Sequence, residues 1–298
     1  ANDNSIRWYR NRDGTASNFT DSDVVLVYTK EGMITTSVHA ADMDGDGDLD
    51  LLLTQEWGPV SLFLNVDGAL QERTAEAGLD QLTGWWNGLT GGDFDGDGDI
   101  DYAVSNFGLN TKYHASSKHP ALLYYGDLDG SGKKRIVEAE FEGAICYPIR
   151  GKSCSTHAMP SLDRKFGSYK QFALAELEDI YPSERLKKAT RLDARVLESG
   201  ILLNDGQARF TFRPLPSLAQ IAPAFGLVAC ELNGDGHLDL ALAQNFFTPQ
   251  PETGRMDGGL SLVLTGNGDG TFQALPPRES GVSLFGDAAS LSVVDSDW

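Results

Sequence analysis

Residues 42–50 and 93–101 each place aspartate at every other position, as Asp42, Asp44, Asp46, Asp48, Asp50 and Asp93, Asp95, Asp97, Asp99, Asp101. Carboxylates this dense repel one another strongly unless positive charge sits between them. The pattern therefore predicts tight loops closed around a cation, with a metal-free acidic turn as the alternative. Glycines at 45, 47, 96 and 98 supply the left-handed turns such wrapping needs. On either side the apolar residues alternate, as in Leu49, Leu51, Leu53 and Ile100, Tyr102, Val104, the period of half-buried strands.

The spacing D-x-D-x-D-x-x-x-D offers side-chain oxygens at positions 1, 3, 5 and 9 and a backbone carbonyl at position 7. Asp42, Asp44, Asp46 and Asp50 with the Asp48 carbonyl, and Asp93, Asp95, Asp97 and Asp101 with the Asp99 carbonyl, form such sets. Water would complete a shell of six to eight oxygens, which is calcium chemistry. A third loop keeps oxygen donors throughout: Glu231, Asn233, Asp235 and Asp239, with the carbonyl of His237. A fourth begins with Asp127, Asp129 and Ser131 and the Lys133 carbonyl, but its ninth residue is Arg135; Glu138 is the candidate substitute. The spacing thus predicts two Ca²⁺ sites and up to four. An EF-hand shares the first nine positions but needs an acid at position 12 between helices. Leu53, Val104 and Leu242 stand there, between strands, which excludes it.

The remaining composition narrows the partners. With 43 acidic against 24 basic residues the net charge is −19, against binding to a phosphate backbone. The 298 residues are 41% hydrophobic, enough for a packed core. No apolar run approaches the length of a membrane span. Cys146, Cys154 and Cys230 are too few for a disulfide framework; a bridge between the first two and buried thiols remain equal alternatives.

Two units alternate along the chain. One is strand, acidic loop, strand; the other is a hairpin around Asn and Asp-Gly, with turns at 11–14, 65–68, 204–206 and 267–270. Together they make a four-stranded antiparallel sheet, and its repetition predicts an all-β fold, a β-propeller. Loop 42–50 goes with the hairpin at Asn65, and loop 231–239 with that at Asn267. Loop 93–101 is assigned to the strand 121–125, and the hairpin at Asn204 to inner strands 136–141 and 144–149. Five blades follow if the chain ends share one, with six or seven as alternatives, all in a single domain over 1–298. Residues 288–294 read as an inner strand entering a further loop, Asp295-Ser296-Asp297, as in a piece of a longer protein. Residues 160–190 break the pattern with helical spacing between Pro160 and Pro182, a one- or two-helix insertion within a blade.

These loops and their aliphatic strands resemble FG-GAP/VCBS repeats, found in integrin α-chain propellers and in bacterial secreted proteins. Gly84-Trp85-Trp86-Asn87-Gly88, Asn106-Phe107-Gly108-Leu109-Asn110, Pro214-Leu215-Pro216 and Ala222-Pro223-Ala224-Phe225-Gly226 are similar to the bacterial VCBS-repeat proteins related to cartilage acidic protein, the ASPIC/UnbV-containing group. The ASPIC/UnbV segment itself is not visible, and Arg135 departs from the acidic ninth position. The resemblance implies a calcium-stabilised propeller that is extracellular, periplasmic or at the cell surface, often in adhesion or ligand binding, without a defined activity.

Three functions fit. The first is a non-catalytic recognition module for glycan or protein ligands. Its candidate surface is Trp57, Trp85, Trp86, Asn87, Asn106, Asn110 and Tyr113, since aromatic faces pack on sugar rings while amides bond their hydroxyls. Blade packing is the competing role for the tryptophans. The second is a polysaccharide lyase-type enzyme using a histidine base such as His114 or His119, with His39 and His157 also available; no hydrolase, zinc-protease or nucleotide motif accompanies them. The third is a structural spacer.

Overall fold

In the computed structural model, residues 33–250 and 253–294 are described throughout, together with the backbone of β1 (Ile6–Tyr9) and β2 (Val24–Tyr28). β1 and β2 pair antiparallel; the turn expected at 11–14 and the loop expected at 295–297 lie outside the described residues.

Three four-stranded antiparallel sheets follow one plan. The first is β3 (Ile34–Ala41), β4 (Asp50–Pro59), β5 (Ser61–Val66) and β6 (Ala69–Glu72), with β7 (Thr83–Trp85) pairing the far end of β4. The second joins β8 (Gly88–Gly92) and β9 (Asp101–Ser105) to β14 (Gly200–Asn204) and β15 (Phe210–Pro214). The third is β16 (Ala224–Cys230), β17 (Asp239–Gln244), β18 (Leu262–Gly266) and β19 (Phe272–Leu275). In each, an acidic loop joins the first two strands and an Asn- or Gly-containing hairpin joins the last two.

The sheets pack face to face, and the two-residue period of the strands divides the core between them. Tyr102, Val104 and Leu202 point from the second sheet toward Met43, Leu52 and Leu62 of the first. Their neighbours Ala103, Ile201 and Leu203 point the other way, against Leu240, Leu242 and Leu264 of the third. A sheet buried on both faces reads as a continuous apolar run, and β9 is buried along its whole length. This is an all-β, propeller-like stacking of antiparallel sheets. No helix among the described residues is long and apolar enough to cross a membrane.

The second sheet differs from expectation. β9 pairs with β14, not with the strand at 121–126, so the hairpin at Asn204 completes the sheet that loop 93–101 begins. Everything between is an insertion with a sheet of its own. Its strands are β10 (Ala121–Gly126), β11 (Arg135–Glu142), β12 (Ile145–Pro148) and β13 (Thr190–Ala194), in the order β12-β11-β10-β13. Val104 lies opposite Gly200, so the excursion leaves and returns at adjacent points of one ladder.

The helical segment is likewise more broken and longer than its spacing predicts. Five short helices replace one or two: α1 (Lys152–Ala158), α2 (Ser161–Lys165), α3 (Tyr169–Ala173), α4 (Leu177–Ile180) and α5 (Ser183–Leu186). Pro160 and Pro182 interrupt the chain as expected, and Ser168 caps α3 by accepting the Gln171 N–H. Leu162, Phe166, Phe172, Leu177 and Ile180 bury against the inserted sheet, while Tyr169 and Leu174 stay exposed. The expected strand at 288–294 does not form. The segment instead passes so close to β16 that a Cβ on Gly226 would lie 2.7 Å from the Leu291 nitrogen.

Trp86 is wholly buried between the first two sheets, with its indole N–H on the Leu82 carbonyl. Trp86→Ala should cost about 3–5 kcal/mol of stability in denaturant unfolding. The exposed Asn110→Ala should cost about 1 kcal/mol or less, since it loses one surface hydrogen bond to Ile221. Equal losses at the two positions would contradict this packing.

Candidate metal centres

All four acidic loops share one backbone. The glycines at positions 4 and 6 are left-handed in each: φ is 77° and 92° at Gly45 and Gly47, and 79° and 95° at Gly96 and Gly98. Gly130, Gly132, Gly234 and Gly236 repeat the pattern. The first side chain draws the loop around itself. Asp42 accepts N–H bonds from Gly45 (2.8 Å) and Gly47 (2.9 Å), and Asp93 from Gly96 (2.7 Å) and Gly98 (3.1 Å).

The ninth residue does something the spacing alone does not show. Asp50, Asp101 and Asp239 are fully buried. One carboxylate oxygen of each accepts the N–H of the loop's second residue: Met43 to Asp50 at 2.8 Å, Phe94 to Asp101 at 3.0 Å, Leu232 to Asp239 at 2.9 Å. The other accepts an N–H from the third strand of the same sheet: Asn65 at 2.8 Å, Asn204 at 2.8 Å, Gly266 at 2.9 Å. Each carboxylate therefore ties loop to hairpin. Burial pushes Asp101 up to about 6 despite these two bonds, and Asp50 upward for the same reason. A cation in the loop opposes that shift by favouring the charged form.

In the first two loops the structure gathers positions 1, 3 and 9. Asp42, Asp44 and Asp50, and Asp93, Asp95 and Asp101, each offer one oxygen, all within 4.8 Å of one another. The Asp95 Oδ1 is buried without a hydrogen-bond partner, an orphan that a cation would satisfy. Burial and the neighbouring Asp97 push the Asp95 carboxyl upward. Hard oxygen donors, a concentration of charge and an unpartnered carboxylate oxygen fit a divalent cation. Position 5 is outside these groups of three: Asp46 accepts the Asp48 N–H and Asp97 the Asp99 N–H, while Asp97 stays beside Asp95. Asp48 and Asp99 enter the sequence pattern through their carbonyls alone.

The other two loops do not gather their acids in this way. In the third, Asn233 donates its side-chain N–H to Asp235, and Glu231 accepts N–H bonds from Asn233 and Gly234 through one oxygen. His237 packs its ring against Gly268 of the hairpin. In the fourth, which joins β10 to β11 in the insertion, Arg185 of α5 binds both the Asp127 carboxylate (3.1 Å) and its carbonyl (3.2 Å). Asp129 and Ser131 accept N–H bonds from Ser131 and Lys133 within the loop. Glu138 does not substitute at the ninth position. It is buried on β11, accepting the Tyr113 hydroxyl at 2.9 Å and pairing with Arg150 at 3.0 Å. A guanidinium thus neutralises this loop from within the protein.

The expected recognition surface is mostly interior. Trp57, Trp86, Asn87, Asn106 and Tyr113 are buried. Trp85 stacks on Phe107 with ring centroids 4.1 Å apart, inside a cluster that includes Trp57 and Tyr113. Asn106 accepts the Trp85 and Phe107 N–H groups and donates to Val196, while Asn87 donates to Ala224. Of the seven, Asn110 alone is exposed, and its amide is bound to Ile221. His39, half-buried against Tyr102, His114 beside Glu140 and His119 on Phe141 join no cluster of three acidic, histidine or cysteine groups among the described residues. None of the three cysteines is disulfide-bonded. Spacing also missed a cleft of about 520 Å³ in the insertion, lined by Arg150, Cys154, His157, Tyr181 and Gln250. Its walls come from segments far apart in sequence, and no local motif announces it.

Comparison with protein families matches an FG-GAP-like repeat twice, at residues 1–53 and 42–104. No curated protein matches the chain.

The two kinds of aspartate should separate by mutation in chelator, where no metal contributes. Asp101→Asn sets an amide N–H₂ against a backbone N–H that needs an acceptor and should cost about 1–3 kcal/mol. Asp95→Asn removes charge from a crowded loop and should leave stability equal or higher. A tolerated Asp101→Asn would overturn the bracing role of the ninth residue.

Proposed function

We propose that this chain is a calcium-stabilised propeller module that acts outside the cytoplasm and recognises a ligand without catalysis. The observation that carries this reading is the recurrence of the acidic loop at one place in three sheets, with two loops gathering three carboxylates each. The matches to an FG-GAP-like repeat over 1–53 and 42–104 support the repeat architecture. Calcium suits the donor set because every contributing atom is a carboxylate or carbonyl oxygen, and extracellular modules of this chemistry work at affinities of about 10⁻⁴–10⁻³ M. In this reading the three sheets and the pair β1–β2 belong to a propeller in which β3, β8 and β16 are the inner strands.

The cation would be held by Asp42, Asp44 and Asp50 in one loop and by Asp93, Asp95 and Asp101 in the next. Its contribution is to neutralise the crowded acids and to fix the connection between the first two strands. The loops would then present rigid edges, while the insertion supplies the irregular surface on which recognition is commonly built. Its cleft of about 520 Å³ is within the range of small-ligand sites. With the aromatic cluster buried, a glycan or protein ligand would meet the insertion and not the tryptophans.

Calcium that binds the native state alone at such affinities raises stability by about 0.4–1.4 kcal/mol per site at a concentration of about 1 mM. Thermal unfolding in millimolar calcium should therefore exceed that in chelator. Asp44→Asn and Asp95→Asn should each remove part of the difference. Identical melting in both conditions, with no metal found by elemental analysis, would overturn the calcium reading. Recognition is tested separately by a glycan array probed with calcium-loaded protein. Selective signals lost in chelator support it, and a blank array argues against a glycan ligand.

A further inference from the structure

In loops 42–50 and 93–101 the second residue is held from two sides, and the second hold comes from the next sheet. Met43 gives its N–H to Asp50, and its carbonyl accepts the side-chain Nδ2 of Asn204 at 3.0 Å. Asn204 belongs to β14 of the neighbouring sheet, and its own backbone N–H is bound to Asp101. One residue therefore bonds the ninth carboxylate of loop 93–101 and the second residue of loop 42–50. The pattern advances by one sheet at Phe94, which gives its N–H to Asp101 while its carbonyl accepts the Gly270 N–H from the third sheet. The two loops are joined by the path Asp50, Met43, Asn204, Asp101.

Asn204 is well placed for this and for little else. It is buried, and its Oδ1 has no hydrogen-bond partner. Only the amino end of an amide can donate to a carbonyl, so the contact with Met43 fixes its orientation. Bonds in such a chain polarise one another in a buried setting. A shift of Asp101 toward a bound cation also moves the backbone of the residue on which Met43 leans.

We infer that Asn204 is a positioning residue that couples the two metal loops, so that loading loop 93–101 raises the calcium affinity of loop 42–50 and the reverse. This rests on the calcium reading above. Coupling is reciprocal by linkage, so either loop can report it.

The test is the calcium affinity of loop 93–101, read by titration calorimetry with loop 42–50 intact and with it disabled by Asp44→Asn. The pair of measurements is repeated with Asn204→Ala. The third sheet has Gly266 at the matching place, where its N–H bonds the ninth aspartate without any side chain. Loss of the Asn204 side chain is therefore compatible with the strand. If the alanine variant does not fold, Asn204→Asp keeps the volume and puts an acceptor where the donor stood. The expected result is a ratio of about five-fold or more in the otherwise unaltered chain, falling toward one without the amide donor. A purely structural role would lower stability and both affinities while leaving the ratio unchanged, and that outcome overturns the proposal. Calcium binding in both loops with a ratio of one overturns it too while the calcium reading stands. Absence of any calcium binding overturns both.

Discussion

The buried carboxylate at the ninth position of three acidic loops, Asp50, Asp101 and Asp239, holds the repeat together. An aspartate with no exposed surface is costly unless both oxygens are satisfied. Here each oxygen takes a backbone N–H from a different part of the sheet. The bond to the loop's second residue fixes how the first two strands are joined. The bond to the third strand fixes the register of the hairpin against them. Side-chain alternation then follows, and with it the division of β9 and β14 between two cores. A one-residue slip would turn Tyr102 and Leu202 away from the first sheet, so the carboxylate also specifies which residues the sheets share.

That constraint explains why much of this molecule was legible in its sequence. The glycines at positions 4 and 6, the alternating apolar residues after the loop and the Asn/Asp-Gly turns are all local signals. They gave the four loops and most of the hairpins. Asp42, Asp44, Asp50, Asp93, Asp95 and Asp101 come together as their spacing requires, with Asp46 and Asp97 beside them accepting loop N–H groups. The bracing role of Asp50, Asp101 and Asp239 was out of reach because its partners Asn65, Asn204 and Gly266 lie beyond the loop. A recurring Asn at the end of the hairpin strand, at 65 and 204, was the one available hint.

The errors have a common physical origin. Strand pairing is non-local, and the cost of closing a chain grows slowly with the length of what lies between. The ladder partner of β9 therefore need not be the next strand in sequence, and here it comes after an excursion carrying a sheet of its own. The aromatic residues misled for another reason. A tryptophan suits a sugar face and a buried interface equally by composition. Only the positions of Phe107, Tyr113 and Trp57 around Trp85 decide between them. Likewise nothing in the short run from Asp127 to Arg135 shows that α5, some fifty residues later, returns Arg185 to the loop.

The fourth loop then separates two properties that the acidic pattern merges. It keeps the wrapped backbone, with Gly130 and Gly132 left-handed and Asp127 accepting the Gly130 N–H, although its ninth residue is arginine. Loop shape is therefore encoded by the glycines and the first aspartate, while charge neutralisation is a separate task. Arg185 performs that task where the hairpin lies in the insertion under α5. In loops 42–50 and 93–101 no guanidinium binds the gathered carboxylates among the described residues, and the acids are denser. Divalent cations are the chemically matched neutraliser for those two loops, and the propeller-like sheets bring them within reach of one shared residue, Asn204.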